Sequence, residues 1–227
     1  MNLLEVIPIA VLGGLLGLDV VSFPQAMVSR PLVAATLAGV LVGHSASGLL
    51  VGAVLELIAL ETLPFGASRY PEWGSASVVG GAIFASHPSH PAGAMSCAMV
   101  AALATTWIGG WTMVKLRQAN ATWARDRRDA LEAGSRGAVT SLQLMGMTAD
   151  LVRGAVLTGV AYALLAPLAS LSIARWNVDA RLSRSMAVAI AASVAGGAAW
   201  KLFHATLGAR WFFVGGLVVG LFWLFVR

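Results

Sequence analysis

Apolar residues run along this chain in blocks, and the blocks differ in length. Residues 3–21 form a first apolar stretch whose Gly13, Gly14 and Gly17 offer a small-residue packing face. Asp19 falls near its end, and Pro24 and Pro31 break the helix there. Residues 31–43 are apolar, His44-Ser45-Ala46-Ser47-Gly48 interrupts, and residues 49–60 are apolar again. A helix needs roughly 17–25 apolar residues to cross the hydrocarbon core, and pieces of about 10–14 read as re-entrant or broken segments. Irregular backbone survives at membrane depth only where protein or a water-filled cavity covers it. This block therefore predicts a site.

The remaining blocks are more regular. Residues 62–77 are polar and turn-rich, 76–85 form a short apolar piece, and 92–114 make a full-length span with Trp107 and Trp111 towards one end. Residues 115–136 carry six basic and three acidic side chains. Leu116, Trp123 and Ala130 recur there at seven-residue spacing, which predicts an amphipathic surface helix, cytoplasmic by the positive-inside rule. Further spans are expected at about 154–173, 185–206 and 209–226. If every segment crosses once, Arg175, Arg181 and Arg184 then fall on the outer side. The expected fold is an all-α polytopic helical bundle, with re-entrant or broken short helices in its first half.

Composition makes the membrane reading firm. Of 227 residues, 58% are hydrophobic and 11% charged, and mean hydropathy is +0.81, whereas a soluble domain carries about 25% charged residues. No charged or Pro/Ser-rich linker separates the apolar blocks, so residues 1–227 read as one membrane domain. It divides into a broken-helix half (1–114), an amphipathic cytoplasmic segment (115–140) and a three-span half (141–227). The net charge of +5 comes from Lys and Arg flanking apolar segments, which fits topology and anionic headgroups rather than nucleic acid. The amino terminus lacks a basic region before its apolar run and an A-x-A site after it, so it reads as a retained helix rather than a cleaved signal. The single Cys97 excludes an internal disulfide and a CxxC metal site.

Chemistry is carried by few residues. An ionisable group inside a span costs roughly 2.5–3.5 kcal/mol on insertion scales and faces a partner or a cavity. Glu56, flanked by Val54-Leu55 and Leu57-Ile58, is the sharpest case. It reads either as a carboxylate accepting hydrogen bonds from sugar hydroxyls, or as the ion-pair partner of Arg30 or a neutral acid holding a broken helix together. Asp19 and Gln25 flank the first break, as cavity groups or as helix-end caps. Glu61 lies where its apolar run ends, Asp150 and Arg153 share a helix face, and His44 is a loop histidine or a solute contact. Lys201 reads as a snorkelling side chain. His87 and His90, each followed by proline with no third ligand nearby, read as a polar loop, not a metal pair. No phosphate loop, nucleophile elbow or metalloprotease motif occurs, so no metal, no cofactor and no catalytic residue is expected, and the chain is not an enzyme by itself.

Residues 29–43, Ser-Arg-Pro-Leu-Val-Ala-Ala-Thr-Leu-Ala-Gly-Val-Leu-Val-Gly, resemble the RPLV-x-x-x-L-x-G-x-x-x-G motif of the IIC subunit of mannose/fructose/sorbose-type sugar phosphotransferase systems. Residues 48–60 are similar to that family's TG-x-x-x-G-x-x-LE-x-I-x-L, and Phe65-Gly66-Ala67, Tyr70-Pro71-Glu72 and Ser75-Ala76-Ser77 to its IGA…PD…S region. His44 stands where the family usually has aspartate, Glu72 where it has aspartate, and Ser47 where it has threonine. The resemblance is specific over residues 29–85 and architectural beyond.

What it implies is a multi-pass subunit of the bacterial cytoplasmic (inner) membrane. Such a subunit binds a hexose and carries it inward with a IID membrane chain by an elevator-like motion. A IIB protein, itself charged by IIA, phosphorylates the sugar. A homo-oligomer is expected. Glu56, Asp19, Gln25, Arg30, His44, Ser75 and Ser77 would form the substrate site. The competing readings are a degenerate IIC-like regulatory or scaffolding subunit without transport, and, outside this family, a subunit of another importer or a membrane enzyme.

Overall fold

Proline and glycine set where the helices stop, and the stops decide the architecture. The computed structural model describes residues 3–60, 69–89, 93–176, 179–204 and 208–226. Among these the regular structure is helical: α1 (Leu3–Asp19), α2 (Pro31–Val42), α3 (Ser45–Ala59), α4 (Trp73–Ala85), α5 (Ala94–Asp126), α6 (Arg128–Glu132), α7 (Arg136–Ala174), α8 (Ala180–His204) and α9 (Ala209–Val226). By length and composition α5, α7 and residues Ala180–Lys201 of α8 can each cross a membrane, while α2, α3 and α4 are shorter apolar helices.

α2 and α3 form a tight antiparallel hairpin. Pro31 opens α2, where its missing N–H costs nothing, and Gly43 closes it in the left-handed region at φ 89°. A Cβ on Gly39 would come within 2.8 Å of the Gly48 Cα, and one on Gly52 within 2.9 Å of the Pro31 carbonyl oxygen. Glycine at these positions lets the two backbones touch. At 1.5 Å per residue α2 is only about 18 Å long, against a core of roughly 30 Å. The broken segment expected between 31 and 60 is therefore a helical hairpin with its turn at Gly43-His44.

α4 is too short to span, yet all of its residues from Trp73 to Ala85 are buried. It packs against α1, α2, α3, α5 and α7. Small residues make this possible: a Cβ on Gly81 would lie 2.7 Å from Ala35 Cα, and one on Gly74 2.5 Å from the Leu16 carbonyl oxygen. Residues 73–77, expected in a polar turn, are thus the buried start of a central helix, while residues 61–68, with Glu61 among them, lie outside the described residues. α1 runs antiparallel to α7, Gly13 meeting Thr158 and Gly17 meeting Gly154.

The charged mid-chain stretch is not a separate surface helix. α5 continues unbroken to Asp126, and α7 begins at Arg136. At 33 and 39 residues they are about 50 and 58 Å long, so their adjoining ends, joined by α6, leave the bilayer as a two-helix arm. Nothing between residues 112 and 120 breaks a helix, and helix continuity does not stop at a membrane surface. On α7 the exposed Val152, Val156, Val160, Leu164 and Leu168 recur every four residues, an apolar stripe facing outward.

Candidate functional site

Several helix ends converge at the end of the bundle nearest the arm. The loop after α1, the start of α2, the end of α3 and the extended approach to α4 enclose a cavity of about 330 Å³, lined by Asp19, Gln25, Arg30, Tyr70 and Trp73 among others. Ligand pockets begin at about that size.

Each break exposes backbone donors, and acidic side chains take them. The Asp19 carboxylate is 1% exposed. It accepts hydrogen bonds from the backbone N–H groups of Ala26 (2.7 Å) and Ser29 (2.8 Å). It thereby clamps a loop in which Gln25 and Met27 hold left-handed φ values of 57° and 62°, a conformation that costs non-glycine residues energy unless the surroundings fix it. Gln25 donates through Nε2 to the Val21 carbonyl oxygen. Arg30 donates through Nε (2.7 Å) and through Nη2 to Glu56 Oε1, and the Leu32 N–H donates to Glu56 Oε2 at 3.2 Å. Of the readings open for Glu56, the ion pair is the one formed. Glu56 closes the open end of the hairpin and aims Arg30, and it is Arg30 that lines the cavity.

The seven expected site residues do not make one site. Asp19, Gln25 and Arg30 line the cavity, with Glu56 behind Arg30. Ser75 lies in buried α4, its Oγ donating to the Gly13 carbonyl oxygen at 3.0 Å and so tying α4 to α1. Ser77 is also buried in α4, its Oγ without a hydrogen-bond partner among the described residues. His44 stands exposed at the hairpin turn, the length of α2 away from Arg30.

Two groups of residues carry more of this region than the sequence suggested. The first is the segment from Arg69 to Glu72, laid along α5. Glu72 N–H donates to the Thr106 carbonyl oxygen (3.2 Å) and Thr106 Oγ1 to the Glu72 carbonyl oxygen (2.7 Å). Arg69 donates to the Trp107 carbonyl oxygen at 3.1 Å with its guanidinium over the Trp107 ring. Gly109 and Gly110 make the slot: a Cβ would come 2.8 Å from Glu72 Cβ and 2.5 Å from the Tyr70 carbonyl oxygen respectively. The Gly-Gly pair in an otherwise regular span was the available signal. Tyr70 and Trp73 line the cavity, and Arg117 of α5 covers the Tyr70 ring at 5.0 Å.

The second group is a cluster of polar side chains around the buried Glu72 and Asp150. Glu72 is fully buried, and its Oε1 accepts the Ser75 N–H at 3.1 Å, capping α4. Its Oε2 has no hydrogen-bond partner among the described residues. Arg153 donates to Asp150 Oδ1 (2.9 Å) and to Thr112 Oγ1 (3.2 Å), and Ser22 Oγ donates to Asp150 Oδ2. The network thus joins α5, α7 and the loop after α1.

Among the described residues no group of three or more His, Cys, Asp or Glu side chains could hold a metal ion. His87 caps α4 through Nδ1 on the Ile83 carbonyl oxygen at 2.9 Å, and His90 lies outside the described residues. Cys97 is a half-buried free thiol in α5.

The family model described as the PTS system sorbose-specific IIC component matches residues 3–214. Over 65 residues the chain is 38% identical to the PTS system mannose-specific EIIC component of Escherichia coli strain K12, a stretch that is 28% of this chain and 24% of that protein. The same figures hold for the counterpart from Shigella flexneri. The match thus spans about a quarter of those relatives' length. In three dimensions, 97% of the chain superposes on 87% of a solved membrane protein with a TM-score of 0.71 at 17% identity. The same shares superpose on a chain of the mannose transporter ManYZ in complex with microcin E492 (MceA), with a TM-score of 0.62 at 18% identity. At such identities the likeness is one of fold.

Proposed function

Because the chain belongs to the family of PTS sorbose-specific IIC components, a family of membrane sugar-transport subunits, we propose that it binds a hexose-type sugar in the cavity beside Arg30 and carries it across the bacterial cytoplasmic membrane. A IID-like subunit is its membrane partner, and phosphorylation falls to a IIB protein charged by IIA. The observation that carries this reading is the lining of the cavity: Arg30, Asp19 and Gln25 beside Tyr70 and Trp73. A pyranose presents hydroxyls around its edge and an apolar C–H face, and such a lining matches both. Discontinuous helices around a polar site are also how many transporters form their binding sites.

Position supports the same assignment. The cavity opens at the end of the bundle that carries the arm, whose six basic residues mark the cytoplasmic side. A phosphocarrier would meet the sugar there. The hairpin supports a membrane partner. α2 starts at the arm end and covers about 18 Å, so the Gly43-His44 turn, exposed in this chain, ends at membrane depth, where irregular backbone needs a protein cover. A purely scaffolding subunit would need no such cavity.

The test is uptake and phosphorylation of labelled hexoses in vesicles supplied with IIA, IIB and IID proteins. Arg30→Gln should abolish uptake while leaving assembly with the IID subunit intact. Unchanged uptake in Arg30→Gln would move the sugar pathway elsewhere.

A further inference from the structure

A second and larger cavity lies on the opposite half of the bundle, between α3, the end of α4 and α8. Its volume is about 620 Å³. The α8 side is built from alanines one turn apart, Ala187, Ala191 and Ala195, facing Leu50 and Leu57 of α3. Residues this short leave a gap where larger side chains would interdigitate. The mouth is polar: Ser89 after α4 and Arg184 in the second turn of α8. Arg184 is exposed and, among the described residues, makes no side-chain hydrogen bond or ion pair. Asp179, the nearest acid in sequence, is engaged by the Leu182 N–H at 2.7 Å. Trp176, just after α7, is partly exposed, as tryptophans at a headgroup level are.

We propose that this cavity is a binding site for an anionic phospholipid, with its phosphate on Arg184 and one acyl chain between α3 and α8. Charge and depth select that occupant. An unmatched guanidinium at the mouth of an apolar slot complements a phosphate, and the walls below offer no polar group. From Arg184 to Ala195 the slot runs about 17 Å along α8, close to the depth of one leaflet, about 15 Å. A partner's transmembrane helix would need a groove running through both leaflets. Bound there, the lipid would wedge α8 against the hairpin, which the protein's own side chains leave loosely joined.

Native mass spectrometry of the full chain in detergent, titrated with phosphatidylglycerol or phosphatidylcholine, tests this. Phosphatidylglycerol should be retained about fivefold better, the scale of one basic group at a membrane surface. Arg184→Gln should erase that preference and Arg184→Lys should keep it. Ala191→Phe, which fills the slot, should lower retention of both lipids while thermal stability is held or raised. Equal retention of the two lipids by the unaltered protein would overturn the proposal. So would an undiminished preference in Arg184→Gln, unaltered retention in Ala191→Phe, or a second copy of the chain held in place of lipid.

Discussion

If Glu56 acts by holding Arg30, the two residues must lose their effects together. Glu56→Gln keeps the side chain's shape and removes its charge, leaving the guanidinium of Arg30 against an amide. Breaking a fully buried pair costs about 3–5 kcal/mol, and an exposed pair contributes about 0–1 kcal/mol. With side chains 23% and 19% exposed this pair falls between, at about 1–3 kcal/mol. For a protein of this size each kcal/mol shifts Tm by about 2–4 °C, so Glu56→Gln should lower it by roughly 2–12 °C. Thermal unfolding of the purified protein, followed by tryptophan fluorescence, reads this directly. Arg30→Gln should lower Tm as well, and the double variant should be little worse than either, a non-additivity of about 1–2 kcal/mol. Hexose affinity separates positioning from contact. In the Arg30→Gln background, adding Glu56→Gln should change affinity no further. Additive Tm shifts, or a further loss of affinity in that background, would refute the positioning role and return Glu56 to the sugar itself.

Asp150→Asn should cost about 3–5 kcal/mol, because Arg153 is 9% exposed and Asp150 is fully buried; size-exclusion profiles and Tm check it, and a Tm equal to that of the unaltered protein would contradict the network's weight. Gly81→Ala should destabilise by about 1–3 kcal/mol, since its Cβ would lie 2.7 Å from Ala35 Cα. Gly43→Ala meets no atom within 4 Å and should cost only the left-handed strain, about 1–2 kcal/mol; an unchanged Tm in Gly81→Ala would argue against the close approach there. Trp73→Leu keeps apolar volume and removes the ring, and calorimetric titration should show hexose binding weakened by roughly 2–12-fold, the scale of an aromatic contact of about 0.5–1.5 kcal/mol.

Much of the fold could be read from where helices had to stop. Pro31 and Gly43 bracket α2 as expected, and the hairpin follows from two short apolar pieces around one break. Ser45-Ala46-Ser47, which interrupts the apolar run, is the first turn of α3, where serine is at home. α4 was harder. Trp-Gly-Ser-Ala-Ser has weak helix propensity, and the run is a helix because it is buried on all sides, with Gly74 and Gly81 set against neighbouring backbones. Part of the site was legible too. A hairpin turning between residues 43 and 44 puts residue 30 opposite residues 56–57 and His44 at the far tip. The contacts of Asp150 and Arg153 with Ser22 and Thr112 depend on how α1, α5 and α7 cross, which periodicity does not carry. The resemblance quoted for residues 29–85 agrees with the family match over residues 3–214.

Asp19, Glu56 and Glu72 have a common role that bears on what the cavity can hold. Asp19 takes the N–H groups of Ala26 and Ser29, Glu56 that of Leu32, and Glu72 that of Ser75. Each carboxylate satisfies backbone donors freed by a helix break, and an unsatisfied donor in hydrocarbon costs several kcal/mol. The breaks make room for a polar site, and the acids make the breaks tolerable. The ionic side chains lining the cavity are Asp19 and Arg30, and Arg30 is already matched by Glu56. The lining side chains that can donate to a ligand include Arg30, Gln25 and Tyr70, set beside a surplus of negative charge. A neutral polyhydroxylated solute suits that balance, because its oxygens accept from Arg30 without bringing charge. A phosphorylated product would sit against Asp19, with Glu56 behind Arg30 and no unmatched cation among the lining residues. On the proposed function, the same lining that admits the sugar favours its departure once it carries phosphate.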